Sequence, residues 1–196
     1  MRSDLLLIQD WIDPGSRVLD LGCGNGEFLA HLKTTRQVQE YGLEINPDYI
    51  EGCLKRGVNV IEQNMETGLG NFESHSFDTV VLAQTLQALH KPAEIVDEML
   101  RVGKNCILTF PNFAYWRHRL YLVSNGRMPK SEHLPHEWYN TPNLHHCTIN
   151  DFDSLCRERD IKVLHRTVVD DKNRSSFLMN LNPNLFGINA IYHITR

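Results

Sequence analysis

Residues 17–26 read Arg-Val-Leu-Asp-Leu-Gly-Cys-Gly-Asn-Gly. Val18, Leu19 and Leu21 read as the end of a buried strand, and a helical segment opens at Glu27. Gly22, Gly24 and Gly26 lie between. A strand, a glycine turn and a helix N-terminus make a ligand site from backbone alone: missing side chains let the ligand come close, and glycine tolerates positive φ. A dinucleotide wants Gly-x-Gly-x-x-Gly. Gly22 and Gly24 fit, but the third position is Glu27, whose charge would face a pyrophosphate, so NAD is disfavoured. Asp20, at the strand end, suits a ligand with an ammonium group and no phosphate. Glu44 closes a second strand, Tyr41-Gly42-Leu43-Glu44-Ile45. It falls about 20 residues past the turn, where a carboxylate takes ribose hydroxyls in doubly wound folds.

A ribosyl ligand carrying a cationic amino acid is S-adenosylmethionine, and the stretch resembles the first motif of class I S-adenosylmethionine-dependent methyltransferases. Asn64 and Met65 follow a third strand at the level of an adenine. Asn64 offers its edge a hydrogen bond; Met65 either packs on its face or fills the core. Gln84 ends a fourth strand, where open α/β sheets place ligands, or is a loop amide bonding backbone. Cys23 needs a small side chain for packing within the turn. With Ile45 beside the ribose acid, it completes the positions expected around S-adenosylmethionine or S-adenosylhomocysteine.

The elements that must position these residues alternate. A helix over 3–12 presents Leu5, Ile8 and Trp11 or Ile12, with Ser3 or Asp4 as its cap. Strands are expected at 17–21, 39–44, 58–62, 77–82 and 105–110. Between them stand helices from Glu27, from Asn46-Pro47-Asp48 and over 92–101. The alternation argues an α/β fold with a parallel sheet. Residues 111–149 break the pattern. Asn112 is expected to cap a helix to about Ser124. The stretch 117–130 holds Arg117, Arg119, Arg127 and Lys130 without an acid, and five of the ten histidines fall in this segment. It reads as a lid and recognition insertion within a single domain, 1–196. Thereafter Asn150 caps a helix, 161–169 is a strand, 170–176 a loop, and 188–194 the last strand of an antiparallel hairpin.

Composition excludes several classes. A net charge of −4 and a pI near 6.2 do not suggest a nucleic-acid or membrane surface. Five cysteines without Cys-x-x-Cys argue for a reducing compartment. With no signal peptide or spanning segment to read, a cytoplasmic protein is expected. His133-x-x-His136 and His145-His146-Cys147 lack the paired spacing of a zinc site, so no metal is expected. There is no Gly-x-Ser-x-Gly elbow, and no Asn/Asp-Pro-Pro-Tyr/Phe motif of base-modifying enzymes, so nucleic acid is the weaker reading of the basic stretch.

Three further stretches are similar to one family, the methionine-biosynthesis protein MetW. They are Gln84-Thr85-Leu86-Gln87-Ala88-Leu89, then Phe110 through Pro129, and Leu134 through His145. The resemblance implies a Rossmann-like class I methyltransferase fold, with a mostly parallel seven-stranded sheet, an antiparallel C-terminal hairpin and helices on both faces. It also implies work in methionine biosynthesis beside a homoserine O-acetyl- or O-succinyltransferase. Asp20, Gly22, Gly24 and Gly26 then fall on the methionine moiety, Glu44 on the ribose and Asn64-Met65 on the adenine. Asn64 stands where many methyltransferases have Asp, and its oxygen would take the adenine amino group. No catalytic residue is assigned: Tyr139, His145 and His146 are base candidates in the insertion, each also readable as structural. Asn112, Trp116, Arg117, Tyr139 and His145 are expected on a substrate or partner surface. Two functions follow: an accessory or regulatory subunit that binds the cofactor, or an active methyltransferase on a small-molecule or protein acceptor.

Overall fold

In a computed structural model, residues 3–131, 134–170, 172 and 174–196 are described; His133 lies outside them. Seven strands form one sheet: β1 (Arg17–Leu21), β2 (Gln39–Glu44), β3 (Val60–Glu62), β4 (Phe77–Ala83), β5 (Gly103–Pro111), β6 (Lys162–Val169) and β7 (Asn189–Thr195). Their order is β3-β2-β1-β4-β5-β7-β6. The first five are parallel, and β7 runs antiparallel between β5 and β6. The chain reverses its direction of strand addition between β1 and β4, and the crevice outside their carboxyl ends is where such sheets bind ligands.

Both faces are covered, so strands are apolar on alternate and successive residues alike. Val18, Val81, Ile107 and Ile191 pack under α1 (Ser3–Ile8), α2 (Glu27–Arg36) and α3 (Pro47–Lys55). Leu19, Val80, Leu108 and Tyr192 pack under α4 (Pro92–Val102) and α6 (Ile149–Glu158). Leu5, Ile8 and Ile12 are buried as their spacing predicts, although the helix stops at Ile8 and continues as a 3-10 turn over Gln9–Trp11.

Caps explain where elements start. Asn46 accepts from Asp48 N at 2.9 Å, with Pro47 opening α3. The cap of α6 is Thr148 rather than Asn150. Thr148 and Asp151 exchange hydrogen bonds, Asp151 N to Thr148 Oγ1 at 3.2 Å and Thr148 N to Asp151 Oδ2 at 3.1 Å, a reciprocal pair that Asn150 cannot make. Nor does Asn112 cap α5, which runs Trp116–Asn125. Two short helices not foreseen in the sequence, α7 (Phe177–Leu181) and α8 (Pro183–Phe186), are capped by Ser176 and Asn182.

Two packing details set stability. Gly42 of β2 lies under Cys23: a Cβ at Gly42 would stand 2.4 Å from Cys23 Sγ. Trp11 stacks on His193 at 5.7 Å between ring centroids, and neither nitrogen of that half-buried imidazole has a hydrogen-bond partner among the described residues. Burial first, then His165 alongside, hold His193 below its ordinary pKa, with Asp13 opposing.

Gly42→Ala is expected to cost about 1–3 kcal/mol, the usual penalty of overpacking. Cys23→Ala in the same chain should recover part of it, whereas additive losses in urea unfolding would show that the two sites do not touch. For His193 the direction is set by linkage. Above about pH 6.5 the ring is neutral folded and unfolded. Below that the unfolded chain takes up a proton that the folded chain resists, so stability falls with pH until the folded-state value is passed. His193→Phe should remove this share of the acid-side decline in unfolding midpoints between about pH 7.5 and 5.5; an unchanged slope would deny it.

Candidate functional site

The loop after β1 is a left-handed turn, with φ of 74°, 56° and 73° at Gly22, Gly24 and Gly26. Its glycines serve different ends. A Cβ on Gly26 would meet Cys53 Sγ at 2.8 Å, so this position is packed shut against α3. A Cβ on Gly24 would meet nothing within 4 Å, so the outer wall of the loop is open. Cys23 points inward, its sulfur 3.8 Å from that of Cys53. Burial and then the nearby Asp20 carboxylate push its thiol well above the ordinary range, so it is a packed neutral thiol and not a nucleophile. All five cysteines are free. Asp20 is itself buried, at 5% exposure, on the strand just before the loop.

Glu44 ends β2 beside this loop. Its Oε2 accepts from Gly24 N at 2.9 Å, and its Oε1 accepts from Ile45 N at 2.8 Å and Asn46 N at 3.0 Å. A carboxylate offers about four acceptor positions, so three backbone donors fix its orientation and leave capacity on Oε2. Ile45, next in the chain, holds an exposed apolar side chain at the mouth.

The turn after β3 closes another side. Asn64 Oδ1 accepts from Glu66 N at 2.9 Å and caps the 3-10 turn Met65–Thr67. That bond takes one of the two lone pairs of the amide oxygen, so Asn64 keeps one acceptor position and its Nδ2 donor. Met65 joins the core and also reaches Gly22, whose Cβ would lie 3.3 Å from its methyl. Glu66 bonds the His90 N–H at 2.5 Å, which holds its carboxyl below the usual range and ties this turn to the one after β4. Thr85, overlooked in the sequence, stands against the loop, its Oγ1 3.4 Å from a Cβ at Gly22. Its signal was its place directly beyond a buried parallel strand.

Gln84 takes a left-handed φ of 56°, rare for a side chain larger than glycine. Its N–H is shared between the carbonyl and hydroxyl of Thr109, and its side-chain amide reaches Asn189 Oδ1 at 3.4 Å. The amide is thus turned along the strand ends.

The two ends of the 111–149 segment are bonded to each other, and its C-terminal end is tied to the turn after β4. Phe113 N bonds Cys147 O at 3.0 Å, while Leu144 N and His145 N bond Gln87 O at 2.9 and 3.0 Å. Asn112 is buried, and its amide donates to Asn184 O at 3.0 Å and Gly187 O at 2.8 Å while accepting from Ala114 N. It stitches chain segments together and presents nothing to a partner, in correction of its expected surface role. His145 is exposed, 3.4 Å from His90 O, and His146 stacks on Phe113. Trp116 is partly exposed under the Arg117 guanidinium, and Tyr139 stands out beside Trp138. Among the described residues, no three His, Cys, Asp or Glu side chains gather as metal ligands, and no helix is long and apolar enough to cross a membrane.

Comparison with known proteins agrees with this geometry. The methionine biosynthesis protein MetW family matches residues 2–194. The chain is 35% identical over 193 residues to a bifunctional methionine biosynthesis protein MetXA/MetW of Rhodopirellula baltica, covering 94% of this chain but 31% of that protein. It is 31% identical over 141 residues to the aklanonic acid methyltransferase DauC of a Streptomyces species, covering 63% of this chain and 62% of that one. The chain therefore spans about a third of the first relative and less than two thirds of the second. An S-adenosylmethionine-dependent methyltransferase of Mesorhizobium loti superposes with a TM-score of 0.71 at 13% identity, over 100% of this chain and 98% of its own. A sheet of this order, a glycine loop of this shape and a family match over nearly every residue converge: the chain belongs to the methionine biosynthesis protein MetW family and has the class I methyltransferase fold.

Proposed function

We propose that the chain binds S-adenosylmethionine or S-adenosylhomocysteine at the glycine loop and serves as an accessory or regulatory subunit of a homoserine O-acyltransferase. The observation that carries the cofactor reading is the Glu44 carboxylate, oriented by three backbone N–H groups with acceptor capacity to spare. A ribose diol asks for such a fixed acceptor. The other residues fit. Gly24 leaves the loop wall open, with Gly22, Cys23 and Gly26 shaping the turn. Asp20 supplies a carboxylate to an ammonium group. Asn64, Met65 and Ile45 border an adenine with one side-chain amide, whose oxygen can take the adenine amino group, and two apolar surfaces. Bound S-adenosylmethionine would supply an electrophilic methyl group; the residues named bind and orient it. Gln84, its amide directed at Asn189, shapes the floor.

The partnership is supported by the relative that carries MetXA and MetW in one chain, an arrangement that holds two modules at high effective concentration. The candidate bases do not gather into a dry pocket: Tyr139, His145 and His146 are all exposed. This favours sensing over turnover. The second reading, methyl transfer to a small-molecule or protein acceptor, is favoured by the likeness to DauC, although a shared fold does not assign chemistry.

Calorimetric titration with both nucleosides tests the proposal. Wild-type protein should bind. Asp20→Ala and Glu44→Ala should each weaken binding by about tenfold or more, the loss expected for a hydrogen bond to a charged group. Absence of binding at about 1 mM, worth only about 4 kcal/mol, would overturn it. A sensor also obeys reciprocity: the acyltransferase must change cofactor affinity by the factor by which the cofactor changes acyltransferase affinity. Equal affinities with and without the partner would remove the regulatory role, and a labelled methyl group found on any acceptor would establish the second reading.

A further inference from the structure

Between Met99 and Ser131 the sequence has no Asp or Glu, although the chain as a whole is acidic. Helix α5 lies in this stretch and is poorly covered. His118 is its one buried residue, and Leu120, Tyr121, Leu122 and Val123 are exposed in succession, Val123 at 85%. A ten-residue helix is marginal in water without tertiary packing, and a contiguous apolar patch marks a contact surface. Beside it lie two cavities, of about 660 and about 470 Å3, that share Tyr121, Pro129 and Lys130 and so form one groove.

Among the described residues, the groove's charges are only partly paired. Arg119 is spent inside the segment, on the carbonyls of Ala114 and Asn184. Lys130 pairs with Glu137 at 2.7 Å, and Asp170, at the far end, pairs with Arg174. Arg127 lines one cavity and Arg117 the other, and neither forms an ion pair among the described residues.

We propose that this groove receives an acidic segment of the acyltransferase, its carboxylates on Arg117 and Arg127 and its apolar side chains against Tyr121, Met128 and Trp138. The inference rests on the partnership proposed above and adds the surface and the chemistry of the segment that meets it. Charge complementarity selects the occupant. A second copy of this chain, docked about a two-fold axis, would bring the same cations face to face. A bilayer wants a helix lying flat in the interface, whereas this surface is concave and takes inserted side chains. Nucleic acid would leave Met128 and Met179, which line the two cavities, without an apolar partner.

Binding of the purified full-length chain to the purified homoserine O-acyltransferase of the same organism, at about 50 and about 300 mM salt, tests this. Affinity should fall as salt rises. Arg117→Glu with Arg127→Glu should weaken the complex by about tenfold or more, and Arg117→Gln with Arg127→Gln by less. Lys162→Glu, at the opposite end of β6, should leave it unchanged, as should the circular dichroism and S-adenosylhomocysteine titration of every variant. A complex that forms but ignores both arginine pairs and salt overturns this inference alone; a wild-type chain that binds no acyltransferase overturns it together with the partnership. Arginine-dependent binding to phosphatidylglycerol vesicles, to duplex RNA or to a second copy, with acyltransferase binding untouched, gives the groove to that other occupant.

Discussion

The hydrogen bond from Gly24 N to Glu44 Oε2 is the contact on which the site depends. It joins the loop after β1 to the end of β2, two segments that the parallel ladder brings into register through Leu21 and Leu43. A glycine turn with open walls has many conformations in isolation. Here the Glu44 side chain at one side and the close contact of Gly26 with Cys53 at the other hold it in one. Glu44 is fixed by the same bond and by its two following N–H groups. Loop and acid are thus preorganised together, and a ligand bridging them would find both already positioned.

That precision is inherited from the sheet. Because both faces are covered, β1 and β4 offer no solvent-exposed side, and their carboxyl ends are where backbone and polar side chains emerge. Cys23 and Cys53 belong to this packing. Their raised thiols are inert fillers beneath the loop, and Gly42 makes room for one of them. The crevice at the β1–β4 reversal is bordered by Thr85 and by the Glu66–His90 link, so the turns after β1, β3 and β4 are braced against one another across it.

The segment after β5 has different physics. Its anchors are backbone hydrogen bonds to Gln87 and Cys147 and the buried amide of Asn112. Between these anchors it carries exposed aromatic and aliphatic side chains, with Arg117 and Arg127 forming no ion pair among the described residues. Were the proposed cofactor and partner to bind these two neighbouring regions, a ligand that orders one side would alter the cost of ordering the other.

Local chemistry was legible in the sequence. The glycine spacing announced the left-handed turn after β1, and Glu44 was expected beside it. Apolar runs of strand length announced the parallel sheet, and Asn46-Pro47 announced the start of α3, because each depends on residues within a few positions of one another. What the sequence left open depends on partners distant in the chain. Asn112 read as a cap or surface residue until the turn at 184–187 arrived to take its amide. Thr148 rather than Asn150 caps α6 because Asp151 completes a reciprocal pair. Gln84 turned to Asn189, and α7 and α8 formed in a stretch where no element was read. Which glycine leaves the loop wall open and which faces a sulfur was likewise decided by the tertiary structure, because a glycine's own conformation is the same in both cases and only its neighbours differ.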